Sequence, residues 1–196
     1  MLITESYREQ QRKLHERPDY GIASHDVVAN MIAQLIEKCD VRELLDYGAG
    51  KMRLFENLKP LLKRKILLQA YDPAIPEIAE PALPSQLVSC IDVLEHIEPD
   101  CIDDVLDDLK RVTGQIGFFT IATGPAEKKL SDGRNAHLIQ EGANWWLPKI
   151  MERFELRVFN QMEHGFMVIV YGNHDIQRVE NGNIHVGSQS RPVILS

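Results

Sequence analysis

Apolar positions along this chain follow two rhythms that take turns. Short runs rich in apolar residues stand at Val41 to Leu45, Ile66 to Tyr71, Leu87 to Ile91 and Ile116 to Ile121. Their length and composition predict buried strands of a parallel sheet. Between them apolar residues recur three and four apart: Val27, Val28, Met31, Ile32, Leu35 and Ile36; Leu54, Phe55, Leu58, Leu61 and Leu62; Ile102, Val105, Leu106, Leu109 and Val112. That spacing lays one apolar stripe along each of three helices. Strands alternating with helices predict a doubly wound, mostly parallel α/β sheet.

The flanks and one interior stretch break this rhythm. Thr4 to Arg17 is polar and predicts a helix that breaks at Arg17 to Gly21, with Ser24, His25 and Asp26 capping the next. Pro60 is expected to bend or end the second apolar stripe, and Lys63, Arg64 and Lys65 read as its solvated end. Ala74 to Ser85 carries Pro76, Pro81 and Pro84 and is too short for a helix, a strand and a second helix. The third, edge strand of the sheet is therefore expected to be missing. Asn144 is expected to cap a helix bearing Trp145, Trp146, Leu147, Ile150, Met151 and Phe154. Leu156 to Phe159 and Phe166 to Tyr171, joined through Met162 to Gly165, predict a C-terminal antiparallel hairpin. The expected organisation is a single domain, 1–196, with an N-terminal helical cap (1–40), a core (41–171) and a tail (172–196) in which Val193, Ile194 and Leu195 could dock.

Composition narrows the partners. The 196 residues are 44% hydrophobic and 26% charged, with a formal net charge of −7 at pH 7, which is the profile of a globular domain. An acidic surface makes nucleic acid an unlikely partner, although a local basic groove would override it. No apolar run approaches the roughly 20 residues needed to span a bilayer, so no membrane partner is expected. The polar start, MLITESYREQQRK, lacks the apolar stretch of a signal peptide, and a cytoplasmic location is expected. Cys39, Cys90 and Cys101 are scattered, without a CxxC pair, which argues against a disulfide framework and a structural zinc site.

The chemistry gathers at the first strand. Asp46, Gly48 and Gly50 follow its apolar run, and a helix starts at Arg53. Strand, glycine turn and helix bring the backbone close to a nucleotide-like ligand. The dinucleotide fingerprint GxGxxG fails because position 53 is arginine, and the phosphate-binding P-loop fails at Leu45 and Met52. An acid immediately before the glycines suits a cofactor with a cationic amino-acid end. Asp72 closes the second strand one strand-helix-strand unit later, where an acid accepts hydrogen bonds from ribose hydroxyls.

These residues, together with the run from Ile91 to Pro99 (IDVLEHIEP), carry a resemblance. Over roughly residues 41 to 171 the chain resembles class I S-adenosylmethionine-dependent methyltransferases, in particular small phage and bacterial ones. The resemblance implies a Rossmann-like fold, S-adenosylmethionine as cofactor and a small-molecule acceptor. It implies that Asp46, Tyr47, Gly48 and Gly50 line the methionine end, Asp72 the ribose, and Asp92 and Val93 the point where strand order reverses. With the usual adenine-binding strand missing, Pro73 and Leu94 are expected to sandwich the adenine ring.

Methyl transfer needs an oriented acceptor and, for oxygen or nitrogen, a base. His96, just after the reversal point, and His137, in the long loop Ala122 to Gln140, are the candidate bases. His96 reads equally as a residue capping its turn. Arg134 and Asn135 share the loop, which would lie over the acceptor, and Arg134 is the candidate acceptor-binding cation. His15 and Tyr20 could reach the same site or merely pack. The acids Asp100, Asp103, Asp104, Asp107 and Asp108 read as a solvated helix face, so no metal site is expected. Two alternatives stay open: a nucleic-acid or protein acceptor, served by a basic groove of Lys128, Lys129 and Arg134, or a binding module without catalysis. A dehydrogenase is more remote.

Overall fold

The computed structural model describes residues 1–18, 20, 26–172, 178–180 and 183–185. Five helices and six strands make its main body: α1 Glu5–His15, α2 Asp26–Lys38, β1 Glu43–Tyr47, α3 Arg53–Leu58, β2 Leu67–Tyr71, β3 Ser85–Ile91, α4 Ile102–Val112, β4 Thr113–Ala122, α5 Ala143–Met151, β5 Glu155–Met162 and β6 Gly165–Tyr171. The sheet order is β2-β1-β3-β4-β6-β5. Pairs β1/β2, β1/β3 and β3/β4 are parallel, whereas β4/β6 and β5/β6 are antiparallel. This is the expected doubly wound sheet with its terminal hairpin. β2 is the edge, because Ala74 to Ser85 crosses to β3 with only a 3-10 turn at Pro76–Ile78. Two further short strands, β7 Arg178–Glu180 and β8 Asn183–His185, pair only with each other.

Alternation along the strands builds a core on each face. Leu45, Val88, Cys90, Phe119, Ile121, Val168 and Val170 meet the apolar stripe of α4 together with Trp146 and Ile150 of α5. Leu44, Leu87, Ile116, Phe118, Met167 and Ile169 meet Ile32 and Ile36 of α2 and Leu54, Phe55 and Leu58 of α3. Each apolar side chain buried this way stabilises the fold by about 1.5–3 kcal/mol before conformational entropy is counted. α1 belongs to neither layer. Thr4 caps it by accepting from the Tyr7 N–H, and the same threonine fastens it to the segment after β3: its N–H and Oγ1 donate to Glu98 at 2.9 and 2.8 Å.

Some boundaries differ from expectation for local reasons. α3 stops at Leu58 and continues as a 3-10 turn, Lys59–Leu61, as Pro60 requires. α5 begins from Gly142 rather than from a cap at Asn144: the Trp145 N–H donates to the Gly142 carbonyl and the Trp146 indole N–H to the Glu141 carbonyl, so Asn144 lies within the first turn. The acidic face of α4 is ion-paired, Arg153 reaching Asp103 at 3.1 Å and Asp107 at 2.6 Å. The expected cap at Ser24 and His25 and the docking of Val193 to Leu195 lie outside the described residues. Among those described, no helix is long and apolar enough to cross a membrane, and the three cysteines are unpaired thiols.

Candidate active site

Strand order reverses between β1 and β3, and a cavity of about 840 Å³ opens at their carboxyl ends. Such crevices are where doubly wound sheets bind ligands. One wall is the turn after β1. Gly48 and Gly50 have φ of +78° and +50°, a region that costs other residues strain. The Gly48 and Ala49 N–H groups both donate to the Tyr71 carbonyl, at 2.7 and 3.0 Å. The Asp72 carboxylate accepts from the Gly50 N–H at 3.1 Å and from the Ala74 N–H at 2.9 Å. The end of β2 thus holds the turn after β1. A Cβ at Gly48 would stand 2.4 Å from Val93 Cγ2, so only glycine lets the two turns meet.

Asp46 lies at the floor, buried, accepting from the Ser89 hydroxyl at 2.9 Å. Burial pushes its carboxyl up to about 7, above the ordinary carboxylate range. Across the cavity, Asp92 turns the chain out of β3 with φ +50°. Its N–H donates to Thr120 Oγ1 at 3.0 Å, and that hydroxyl donates to Asp92 Oδ1 at 2.8 Å. Val93, Pro73 and Ala74 complete this part of the lining.

The far end is built from the 3-10 turn Leu94–His96 and the long loop after β4. Glu95 is wholly buried; its Oε1 accepts from the Ala122 N–H at 2.9 Å, and its Oε2 has no hydrogen-bond partner. Burial, with Asp92 beside it, pushes its carboxyl up to about 8. His96 Nδ1 lies 2.8 Å from the Ala136 carbonyl and His137 Nδ1 lies 2.7 Å from the Gly124 carbonyl. A carbonyl only accepts, so both rings carry their proton on Nδ1. Burial, and then the neighbouring His137, hold His96 down at about 4, so it is neutral at physiological pH. The two rings stack edge-on with centroids 4.7 Å apart.

The loop is ordered by Asn135. Its Oδ1 accepts from the Ala126 and His137 N–H groups, each at 2.9 Å, and its Nδ2 donates to the Ala126 carbonyl at 2.8 Å. Leu130, Ala136 and Ile139 are buried beneath it. α1 roofs the cavity with Tyr7, Gln11 and His15. Tyr20 Oη donates to Gln11 Oε1 at 2.9 Å, Gln11 Nε2 donates to Tyr7 Oη, and Tyr7 Oη donates to the His96 carbonyl. His15 Nε2 lies 3.8 Å from Asp72, with burial lowering its affinity for a proton.

The expected site residues therefore fall into two groups. Asp46, Gly48, Gly50, Asp72, Pro73, Asp92, Val93, His96 and His137 line the one cavity, with His15 and Tyr20. Three expectations do not fit it. Tyr47 is two residues from Leu45, so alternation turns it to the α4 face, where its hydroxyl donates to Asp108 at 2.9 Å. Leu94 is fully buried in that same core and cannot sandwich a ligand. Arg134 stands outside the cavity lining, paired with Asp132 at 2.7 Å, because the loop's turn faces it outward. Among the described residues, the cavity lining carries Glu127 and Glu163 beside Arg53, Lys128 and His164, a mixed set of charges rather than a basic groove. Tyr7, Gln11 and Glu95 escaped the sequence reading. Glu95 alone left a signal, an acid in a turn flanked by Leu94 and Ile97.

The sequence matches no family model and no curated protein. Solved structures do share the fold. The 1,6-didemethyltoxoflavin-N1-methyltransferase of Burkholderia thailandensis, with bound 1,6-didemethyltoxoflavin and S-adenosylhomocysteine, superposes with a TM-score of 0.61 at 14% identity, over 88% of this chain and 91% of that one. The N-methyltransferase NodS of Bradyrhizobium japonicum WM9, in complex with S-adenosylhomocysteine, gives 0.56 at 13% identity over 86% and 100%. An O-methyltransferase family protein of Burkholderia thailandensis gives 0.59 at 8% identity, over 85% of this chain, which spans 64% of that protein's length. The chain has the Rossmann-like fold of these methyltransferases.

Proposed function

We propose that the protein is an S-adenosylmethionine-dependent methyltransferase acting on a small molecule. The observation that carries this reading is the convergence of Asp46, the Gly48 turn, Asp72, Asp92, His96 and His137 on one cavity at the point where strand order reverses. Its volume falls within the range of about 300–1,000 Å³ typical of small-molecule sites. The residues fit the cofactor. Asp46 offers a buried carboxylate to a cationic amino-acid end, and a cation there favours its ionised form. The Gly48 turn leaves no side chain between backbone and ligand. Each Asp72 oxygen uses one lone pair on a backbone N–H and keeps another for a ribose hydroxyl. Pro73, Ala74 and Val93 offer apolar surface to adenine in place of the missing strand.

When bound, S-adenosylmethionine supplies a methyl group already activated on a sulfonium. The chain's own work is to orient the acceptor and receive its proton. His96 and His137 each keep a bare Nε2, because Nδ1–H is spent on a backbone carbonyl, and either can take that proton. Tyr20 and the α1 side chains cover the acceptor side and exclude water. The mixed charge of the mouth favours a small acceptor over nucleic acid, and the unpaired thiols suit a cytoplasmic protein. Calorimetry with S-adenosylhomocysteine should show one binding site per chain. Labelled methyl groups should then pass to a small-molecule fraction of a lysate. No binding of either form of the cofactor would overturn the reading, and label entering only nucleic acid or protein would overturn the acceptor class.

A further inference from the structure

We propose that Glu95, His96 and His137 form a divalent transition-metal site at the acceptor end of the cavity. Each of the three offers one ligand atom, and these atoms all lie within 4.8 Å of one another. Ligands about 2.1 Å from one ion lie about 3–4 Å apart, so modest side-chain rotation closes the set around a cation. The sequence, weighed at the scattered cysteines and at the acidic face of α4, led to the expectation of no metal.

The electron pairs make the case. Both imidazoles hold their proton on Nδ1, against the Ala136 and Gly124 carbonyls, so each presents a bare Nε2 lone pair. Glu95 adds a buried carboxyl beside them, its ligand atom within 4.8 Å of theirs. Its Oε2 is fully buried without a partner, a condition that costs about 1–3 kcal/mol when left unmet. A cation at this point meets the unpartnered oxygen and takes the carboxyl in its ionised form, releasing its proton. The Nδ1–H to carbonyl bonds are also the outer contacts by which metal-binding histidines fix ring orientation. Asn135 fixes the His137 backbone, the Ala122 N–H fixes Glu95 and the Ala136 carbonyl fixes His96, so each member of the set is held.

Two imidazoles and one carboxylate suit a first-row divalent ion and leave coordination positions open toward the cavity. The acceptor class follows, resting on the methyltransferase reading: a hydroxyl or phenol oxygen that binds the ion. The ion acts as a Lewis acid and is not oxidised or reduced. The coordinated hydroxyl gives its proton to water; its oxygen bonds the methyl carbon as the carbon–sulfur bond breaks, and that electron pair returns to sulfur as a neutral thioether. With the ion bound, the two imidazoles serve as ligands, and water replaces them as the proton acceptor.

The test uses the full-length, chelator-stripped protein and Co²⁺, read by its visible absorption bands, with Mn²⁺ and Zn²⁺ as competitors. One ion per chain is expected. His137→Ala and Glu95→Gln should each weaken it by 10-fold or more, with circular dichroism confirming that the variants fold. If Glu95→Gln does not fold, His137→Ala and His137→Gln decide. No stoichiometric binding, or binding unchanged in the His137 variants, overturns the site. S-adenosylhomocysteine binding is measured on the same samples: its loss with metal binding intact overturns the cofactor reading and leaves the metal site standing. Methyl transfer that survives complete chelation overturns the role given to the ion.

Discussion

The two ends of the cavity reach rigidity by opposite routes. The cofactor end is backbone: glycines in left-handed conformations, two N–H groups on one carbonyl of β2, and an aspartate binding two more. The acceptor end is side chains: His96, His137 and Glu95 reach into the cavity from hydrogen bonds to backbone groups of the loop and of β4, and the Asn135 side chain orders that loop. A backbone-built wall tolerates change in neighbouring side chains but not in its own conformation. A side-chain-built wall can be rebuilt one residue at a time. On the proposed function, the difference separates the part that holds one fixed cofactor from the part that sets acceptor specificity.

The comparison breaks first at Gly48. A methyl group there meets Val93 and strains a φ of +78°. Gly48→Ala should weaken S-adenosylhomocysteine binding by about 100-fold and destabilise the protein by about 1–3 kcal/mol. Calorimetry and urea unfolding check this, and adding Val93→Ala should recover only the steric part. Next comes Asn135→Ala, which removes three hydrogen bonds and leaves their backbone partners unmet. We expect about 2–4 kcal/mol of lost stability in urea, with cofactor affinity changed less than about threefold, since the glycine turn does not depend on the loop.

A smaller effect is pH-dependent. The folded-state pKa of Asp46 is raised, to about 7. Its protonated form therefore favours the folded state fully below pH ~4, and that contribution is lost as pH rises through ~7. Cofactor binding runs the other way, because the cationic end needs the ionised carboxylate. The thermal shift given by S-adenosylmethionine should be several degrees larger at pH 8 than at pH 6. Asp46→Asn should flatten that difference. Least of all is Arg134→Ala: its pair with Asp132 is exposed, so stability should change by less than about 0.5 kcal/mol and cofactor binding not at all. A large loss of methyl transfer in Arg134→Ala would restore the arginine to the acceptor site.

Much of the cofactor end was legible in the sequence because its determinants are local. The spacing of Asp46, Gly48 and Gly50, the acid at Asp72 and the Asp92-Val93 corner all sit at strand ends that hydrophobic periodicity locates. Tyr47 could have been excluded by the same rule, since strand alternation separates it from Asp46. The acceptor end was harder to read. His96 and His137 were visible as histidines, yet nothing in their separation of some forty positions says that their rings meet. Arg134 was placed with them only because it shares their loop.

What the sequence determined by itself is the alternation of strands and helices, the absence of the third strand, and the glycine turn after β1. Period, turn chemistry and proline content act over a few residues. Only the tertiary structure decided that α1 roofs the cavity through Tyr7, Gln11 and His15, and that Arg134 faces away. Only there does Glu95 become a buried acid with an unmet oxygen, grouped with His96 and His137. Those facts depend on how the post-β3 turn, the post-β4 loop and the N-terminal helix pack on one another. Burial and lone-pair direction are properties of that packing and have no local code.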